Sequence, residues 1–211
     1  MMNIDNTTQQ GGLHKREAAL FPVRLFPEAS YYAAMARHSR VAFDTDARYN
    51  KPEKGVHRFT IADVAGPLRL TVPVSRPSGA TLWRQTLVSD HGRWWETMPI
   101  ALESAYGRTP FFEFYIDRFL PLFSPEAVPI TELCLRADRI VRGILRTPSE
   151  IVEAASVPGL VRYTDADFAA MELPQYWQVR AHKLGFIPHL SVLDLIFNLG
   201  PEAELLLDRI Y

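Results

Sequence analysis

Short apolar runs cut by turn residues fill the early part of the chain, and longer stretches with helical spacing fill the rest. From about Leu20, Phe21-Pro22-Val23-Arg24-Leu25-Phe26-Pro27 predicts a strand ending in a loop, punctuated by its prolines. A helix follows, capped by Ser30, with Tyr31, Ala34 and Met35 at helical spacing and Arg37, His38 and Ser39 closing it. Val41, Ala42 and Phe43 form the next strand, which stops at Asp44-Thr45-Asp46. Residues 47–56 are polar and irregular. Beyond them Phe59-Thr60-Ile61 and the alternating Leu68-Arg69-Leu70-Thr71-Val72 predict a hairpin turning at Ala65-Gly66-Pro67 and ended by Pro73. A further strand is expected around Gln85 to Val88.

The later pattern is helical. Thr109 before Pro110 predicts a capped helix carrying Phe111, Tyr115, Phe119 and Leu122, while Pro99 either follows a late start capped by Thr97 or kinks a helix. Ile130 to Leu145 is the clearest segment: Ile130, Leu133, Cys134, Ala137, Val141, Ile144 and Leu145 make one stripe, with Arg136, Arg139 and Arg142 largely outside it. Ser191 and Asp194 read as a capping box before Val192, Leu195, Ile196 and Leu199, and Gly200-Pro201 ends that helix and starts another. Thr147-Pro148-Ser149-Glu150 and Thr164-Asp165-Ala166-Asp167 read as two more caps. The expected class is α/β: a single mixed sheet built mainly by the N-terminal half, strand-helix-strand plus hairpin, with helices of the C-terminal half packed on it. Residues 1–19 are expected to form a flexible tail and residues 20–211 one domain.

Composition narrows the function classes. The 211 residues are 47% hydrophobic and 22% charged, enough apolar material for a sizeable core. Lys plus Arg number 23 against 24 Asp plus Glu, a net charge of -1, so no global field draws the chain to nucleic acid or anionic lipid. Met1 to Gly12 lacks the apolar run of a secretory segment, and Leu190 to Leu199 falls short of the roughly 20 residues that cross a bilayer. The single cysteine, Cys134, permits no internal disulfide, reads as a packed apolar residue, and fits a reducing, cytoplasmic compartment.

Candidate chemistry lies between the early strands. Asp44 and Asp46 sit at a strand end, where open α/β sheets bind ligands, and D-x-D spacing can hold a divalent ion with a nucleotide sugar's diphosphate. Turn capping and a ligand hydrogen bond are the other uses of these acids, and no metal site is assigned to them. The loop that follows carries Arg48, Tyr49, Lys51, Lys54, His57 and Arg58: donors for a carboxylate or phosphate, and an imidazole able to act as base when neutral. Asp44, Lys51 and Arg58 are expected to face one hollow at the sheet's rim. The remaining histidines have no zinc spacing, and Walker, G-x-G-x-x-G and G-x-S-x-G motifs are absent, so no cofactor is specified. Trp94, Trp95, Tyr106, Phe111, Phe112, Phe114 and Tyr115 read as core.

Four stretches, taken together, resemble the WbqC-like family of bacterial proteins from about Val23 to Leu207. They are Phe43-Asp44 with Tyr49-x-Lys51 and His57-Arg58-x-x-Ile61; Leu70-Thr71-Val72-Pro73-Val74; Trp94 with Ala105-Tyr106-x-x-Thr109-Pro110-Phe111-Phe112-Glu113-x-Tyr115-x-Asp117; and Tyr176-x-Gln178 with Gly185-Phe186-x-Pro188-His189-Leu190-Ser191 running on to Gly200. His57 and His189 stand where that family usually has Asn, and the interval from Lys51 to Arg58 is one residue longer. The resemblance implies bacterial surface-polysaccharide assembly of the O-antigen type, by transfer of glycine or another acyl group to a sugar hydroxyl. It implies Asp44 and His57 as catalytic groups and Tyr49, Lys51, Arg58, Tyr106 and Gln178 as ligands of a small anionic or sugar substrate. Two other classes are open: a metal-dependent glycosyl or nucleotidyl transferase using Asp44 and Asp46, and a non-catalytic binding or scaffold protein. No oligomeric state is implied.

Overall fold

The computed structural model describes residues 16–211. Its centre is a strand-helix-strand unit: β1 (Arg16–Pro22), α1 (Ala29–Ala36) and β2 (His38–Asp44), with β1 and β2 parallel and Phe21 opposite Phe43. Parallel strands are covered on both faces, which is why Ala18 to Phe21 are buried without alternation. β1 starts before the expected Leu20, so Arg16 to Ala19 belong to the sheet rather than to a tail; the rest of the expected tail lies outside the described residues. Val23 to Pro27 is the loop. Glu28, not Ser30, occupies the helix N-cap, and Ser30 is buried inside the first turn of α1.

The expected α/β order holds, early strands and late helices, but the sheet is in parts. Two-residue strands β7 (Glu150–Ile151) and β8 (Val161–Arg162) extend the parallel sheet to the order β7-β2-β1-β8. The hairpin of β3 (Arg58–Asp63) and β4 (Gly66–Thr71) pairs with itself and not with that sheet, as do β5 (Val74–Ser75) and β6 (Leu87–Val88). Thr147-Pro148-Ser149-Glu150 therefore leads into a strand rather than a helix. The Ser149 hydroxyl donates to the carbonyls of Met35 and His38, at 2.8 Å each, and ties β7 to the end of α1.

The helices α2 (Trp94–Tyr106), α3 (Phe112–Phe119) and α4 (Ile130–Leu145) follow, then the short α5 (Asp165–Ala169) and α6 (Ala181–Leu184), α7 (Val192–Leu199) and α8 (Ala203–Leu207). Pro99 lies inside α2, with no fresh start at Thr97. Thr109 donates its hydroxyl to the Tyr106 carbonyl at 2.6 Å, so it closes α2 instead of capping α3. α4 has the expected ends and stripe. On it, Cys134 is fully buried with its thiol on the Val56 carbonyl at 3.0 Å, and burial pushes its pKa far up. Trp94, Tyr106 and Phe112 are core as expected, whereas Phe114 is exposed. α7 is buried all round, including its two polar residues Asp194 and Asn198, which make hydrogen bonds inside the core.

Candidate functional site

In an open α/β sheet, ligands bind beyond the carboxyl ends of strands where the chain order reverses. Here the order runs outward from β1 through β2 to β7, then returns to put β8 on the other side of β1. The loops leaving β1 and β8 must diverge, and a cavity of about 360 Å³ opens between them. Arg24, Glu28, Arg58, Asp165 and His189 are its charged or titratable lining, over an apolar floor that includes Phe26, Tyr31, Phe59 and Phe168.

Each polar group is placed by backbone. Arg24, in the loop after β1, is almost fully buried and lies between Glu53 (2.7 Å) and Asp165 (2.8 Å), with a further bond to the Val23 carbonyl at 2.9 Å. Gly55 makes room for it: a Cβ there would stand 2.5 Å from Arg24 Cδ. Asp165 opens α5 beside the Thr164–Asp167 capping box, which forms as expected. Arg58 begins β3; its Nε is buried and has no hydrogen-bond partner among the described residues. His189 has φ 57°, a left-handed conformation in which Asn, Asp and His are enriched. The segment it leads is stitched down by Ser191 N–H to the Thr60 carbonyl and Val192 N–H to the Pro27 carbonyl, both 2.8 Å. Glu28 leaves its own helix uncapped and instead accepts from His189 Nδ1 at 2.6 Å.

Of the residues expected to act in catalysis or binding, Arg58 alone lines this cavity. Asp44 ends β2 and pairs with Arg162 of β8, across β1; Asp46 pairs with Arg84 at 2.5 Å. The two acids thus face different arginines. Tyr49 packs on Trp83 with ring centres 4.6 Å apart and Arg76 above it at 4.9 Å, and Lys51 is exposed in a turn. His57 is buried, its Nδ1–H donating to the Val72 carbonyl at 2.9 Å. Burial, against that bond and with the charges of Arg58 and Lys54 behind it, lowers its pKa from 6.5. Tyr106 is in the core and accepts from Ala62 N–H at 3.1 Å.

Gln178 is buried too, clasping the Ile187 backbone with both ends of its amide at 2.9 Å and donating to Asp194 at 3.0 Å. Asp194 also takes the Tyr176 hydroxyl at 2.6 Å, so the expected capping box is half made: Ser191 caps α7 at Leu193 N–H, but the acid turns into the core. Burial raises the Asp194 pKa in spite of these donors.

The family comparison matches this geometry's chain over residues 23–163, well over half of its length, with the WbqC-like protein family. The chain belongs to that family. The matched stretch of this WbqC-like protein contains Arg24, Glu28, Asp44, Tyr49, Lys51, His57, Arg58 and Tyr106, and ends before Asp165, Gln178 and His189. The family is associated with polysaccharide biosynthesis. Comparisons with curated proteins and with solved structures gave no match. Among the described residues of the WbqC-like chain, no helix is long and apolar enough to cross a membrane.

Arg24, Glu28, Asp165 and His189 were not singled out for the site. Arg24 had a signal, as a charge within an otherwise apolar run; His189 had another, as a histidine inside the last of the four stretches that resemble the family. Glu28 and Asp165 look like ordinary helix-start acids and had none.

Proposed function

We propose that this WbqC-like protein is an enzyme of bacterial surface-polysaccharide assembly, of the O-antigen type, that transfers glycine or another acyl group to a sugar hydroxyl. Its site is the cavity between the β1 and β8 loops, and Arg58 receives the anionic group of the donor. The carrying observation is Arg58 itself: it lines the cavity and its buried Nε is engaged by no described residue, whereas Arg24 is held by two carboxylates. A planar guanidinium is the donor suited to phosphate or carboxylate. The volume falls within the range of small-molecule sites, at the small end.

Titration calorimetry with acetyl- and glycyl-coenzyme A and with uridine-diphosphate sugars tests the reading. Loss of one charge-assisted contact, about 1.5–3 kcal/mol, should weaken binding in Arg58→Ala by roughly 10- to 100-fold. Lys51→Ala, outside the cavity lining, should bind as the parent does. No binding of any of these probes to the parent chain, or equal binding by Arg58→Ala, removes the proposal.

A further inference from the structure

Acyl transfer to a hydroxyl needs a base, and the two groups that sequence nominated are occupied elsewhere. His57 is buried outside the cavity lining, and Asp44 is paired with Arg162. The cavity has its own carboxylate–imidazole pair. His189 Nδ1 lies 2.6 Å from Glu28 Oε2, and a carboxylate can only accept, so Nδ1 carries the proton. In the neutral ring that leaves Nε2 as a bare lone pair. The His189 side chain is 48% exposed and Glu28 29%, so the pair is open to a ligand in the cavity.

The pair is also held in place. Glu28 is fixed at the start of α1 and bridged to Ser191, and His189 is two residues before that bridge. The imidazole is thus oriented from both sides of the cavity mouth, the arrangement by which a third group steers a base. Arg58 lines the same space.

We infer that this chain, with His189 where the family usually has Asn, uses that histidine as the general base of this site and Glu28 as its positioning residue, acting on a sugar hydroxyl as it attacks an acyl thioester or ester. The inference rests on the acyl-transfer reading above. His189 Nε2 takes the hydroxyl proton while the oxygen forms a bond to the carbonyl carbon, and the C=O π pair moves onto the carbonyl oxygen. Collapse of that tetrahedral adduct restores C=O and breaks the bond to the thiolate or alkoxide, which leaves with its electron pair and takes the proton from His189. Glu28 stabilises the imidazolium between the two transfers, and Arg58 faces the negative charge.

His189→Asn tests the base, because Asn tolerates the left-handed backbone and should fold. With acetyl- or glycyl-coenzyme A and a uridine-diphosphate sugar, it should lower kcat about 100- to 10,000-fold with donor binding within about 2-fold of the parent. Nitrogen-15 NMR of the full chain, without donor, should find His189 protonated at Nδ1 in the parent and lose that preference in Glu28→Ala, which has no acceptor left. An unchanged kcat in His189→Asn overturns the inference and leaves the acyl-transfer reading standing. So does a parent tautomer protonated at Nε2. If the parent binds no donor by calorimetry, both fall together.

Discussion

His57 and His189 show how one residue type is given two fates by its backbone. His57 lies under the hairpin with its Nδ1–H spent on Val72, and burial holds it neutral. Its pKa is lowered, so the unfolded chain takes up a proton near pH 6.5 and the folded chain only at lower pH. The stability present above that value is lost as pH falls through it. Urea midpoints should therefore drop between pH 7.5 and 5.5, and the drop should be shallower in His57→Asn, whose amide can still donate to Val72. Equal slopes for the two proteins would refute that role. The motif that contains His57 is legible in the sequence, but its depth is not: burial depends on Trp83 and Val72, which arrive from later segments.

At the scale of elements, legibility follows the range of the forces. α4 is readable end to end because its stripe is a local pattern, and the hairpin because its alternation and turn are. The caps at Thr109, Thr147 and Asp194 misled for different reasons: the Thr109 hydroxyl bonds back to Tyr106 three residues earlier, the Thr147 hydroxyl has no partner among the described residues and leads into β7, and Asp194 accepts from Tyr176 in the core. α7 is the instructive case, since its Asp194 is the acceptor for Tyr176 and Gln178 in the core. Asp194→Ala leaves both donors without it and should cost about 3 kcal/mol of unfolding free energy, whereas Asp194→Asn, which keeps an acceptor oxygen, should cost less. Denaturant titration of the two variants checks the order, and equal losses would show that one remaining acceptor oxygen does not serve Tyr176 and Gln178.

The molecule as a whole is organised by contacts that no local pattern encodes. Strands of two residues, β7 and β8, decide the sheet order, and the order decides where the cavity opens. That is why Asp44 looked well placed: it does end a central strand, but the crevice lies on the other side of β1. Buried residues form one connected cluster from Ala19 to Ile210, which predicts a single calorimetric transition whose van't Hoff and calorimetric enthalpies agree. Two resolved transitions would instead divide residues 20–211 into separate units.

The cavity wall has a consequence for the order of events in the cell. Arg24, Glu28 and Arg58 come from early in the chain, but Asp165 and His189 close the hollow from more than a hundred residues later. While a ribosome is still making the middle helices, the early groups have no opposite wall, and among the described residues the charge of Arg24 has Glu53 but not yet Asp165 to answer it. The hollow and the fold are then completed in the same late step, so a partly synthesised chain presents no closed pocket.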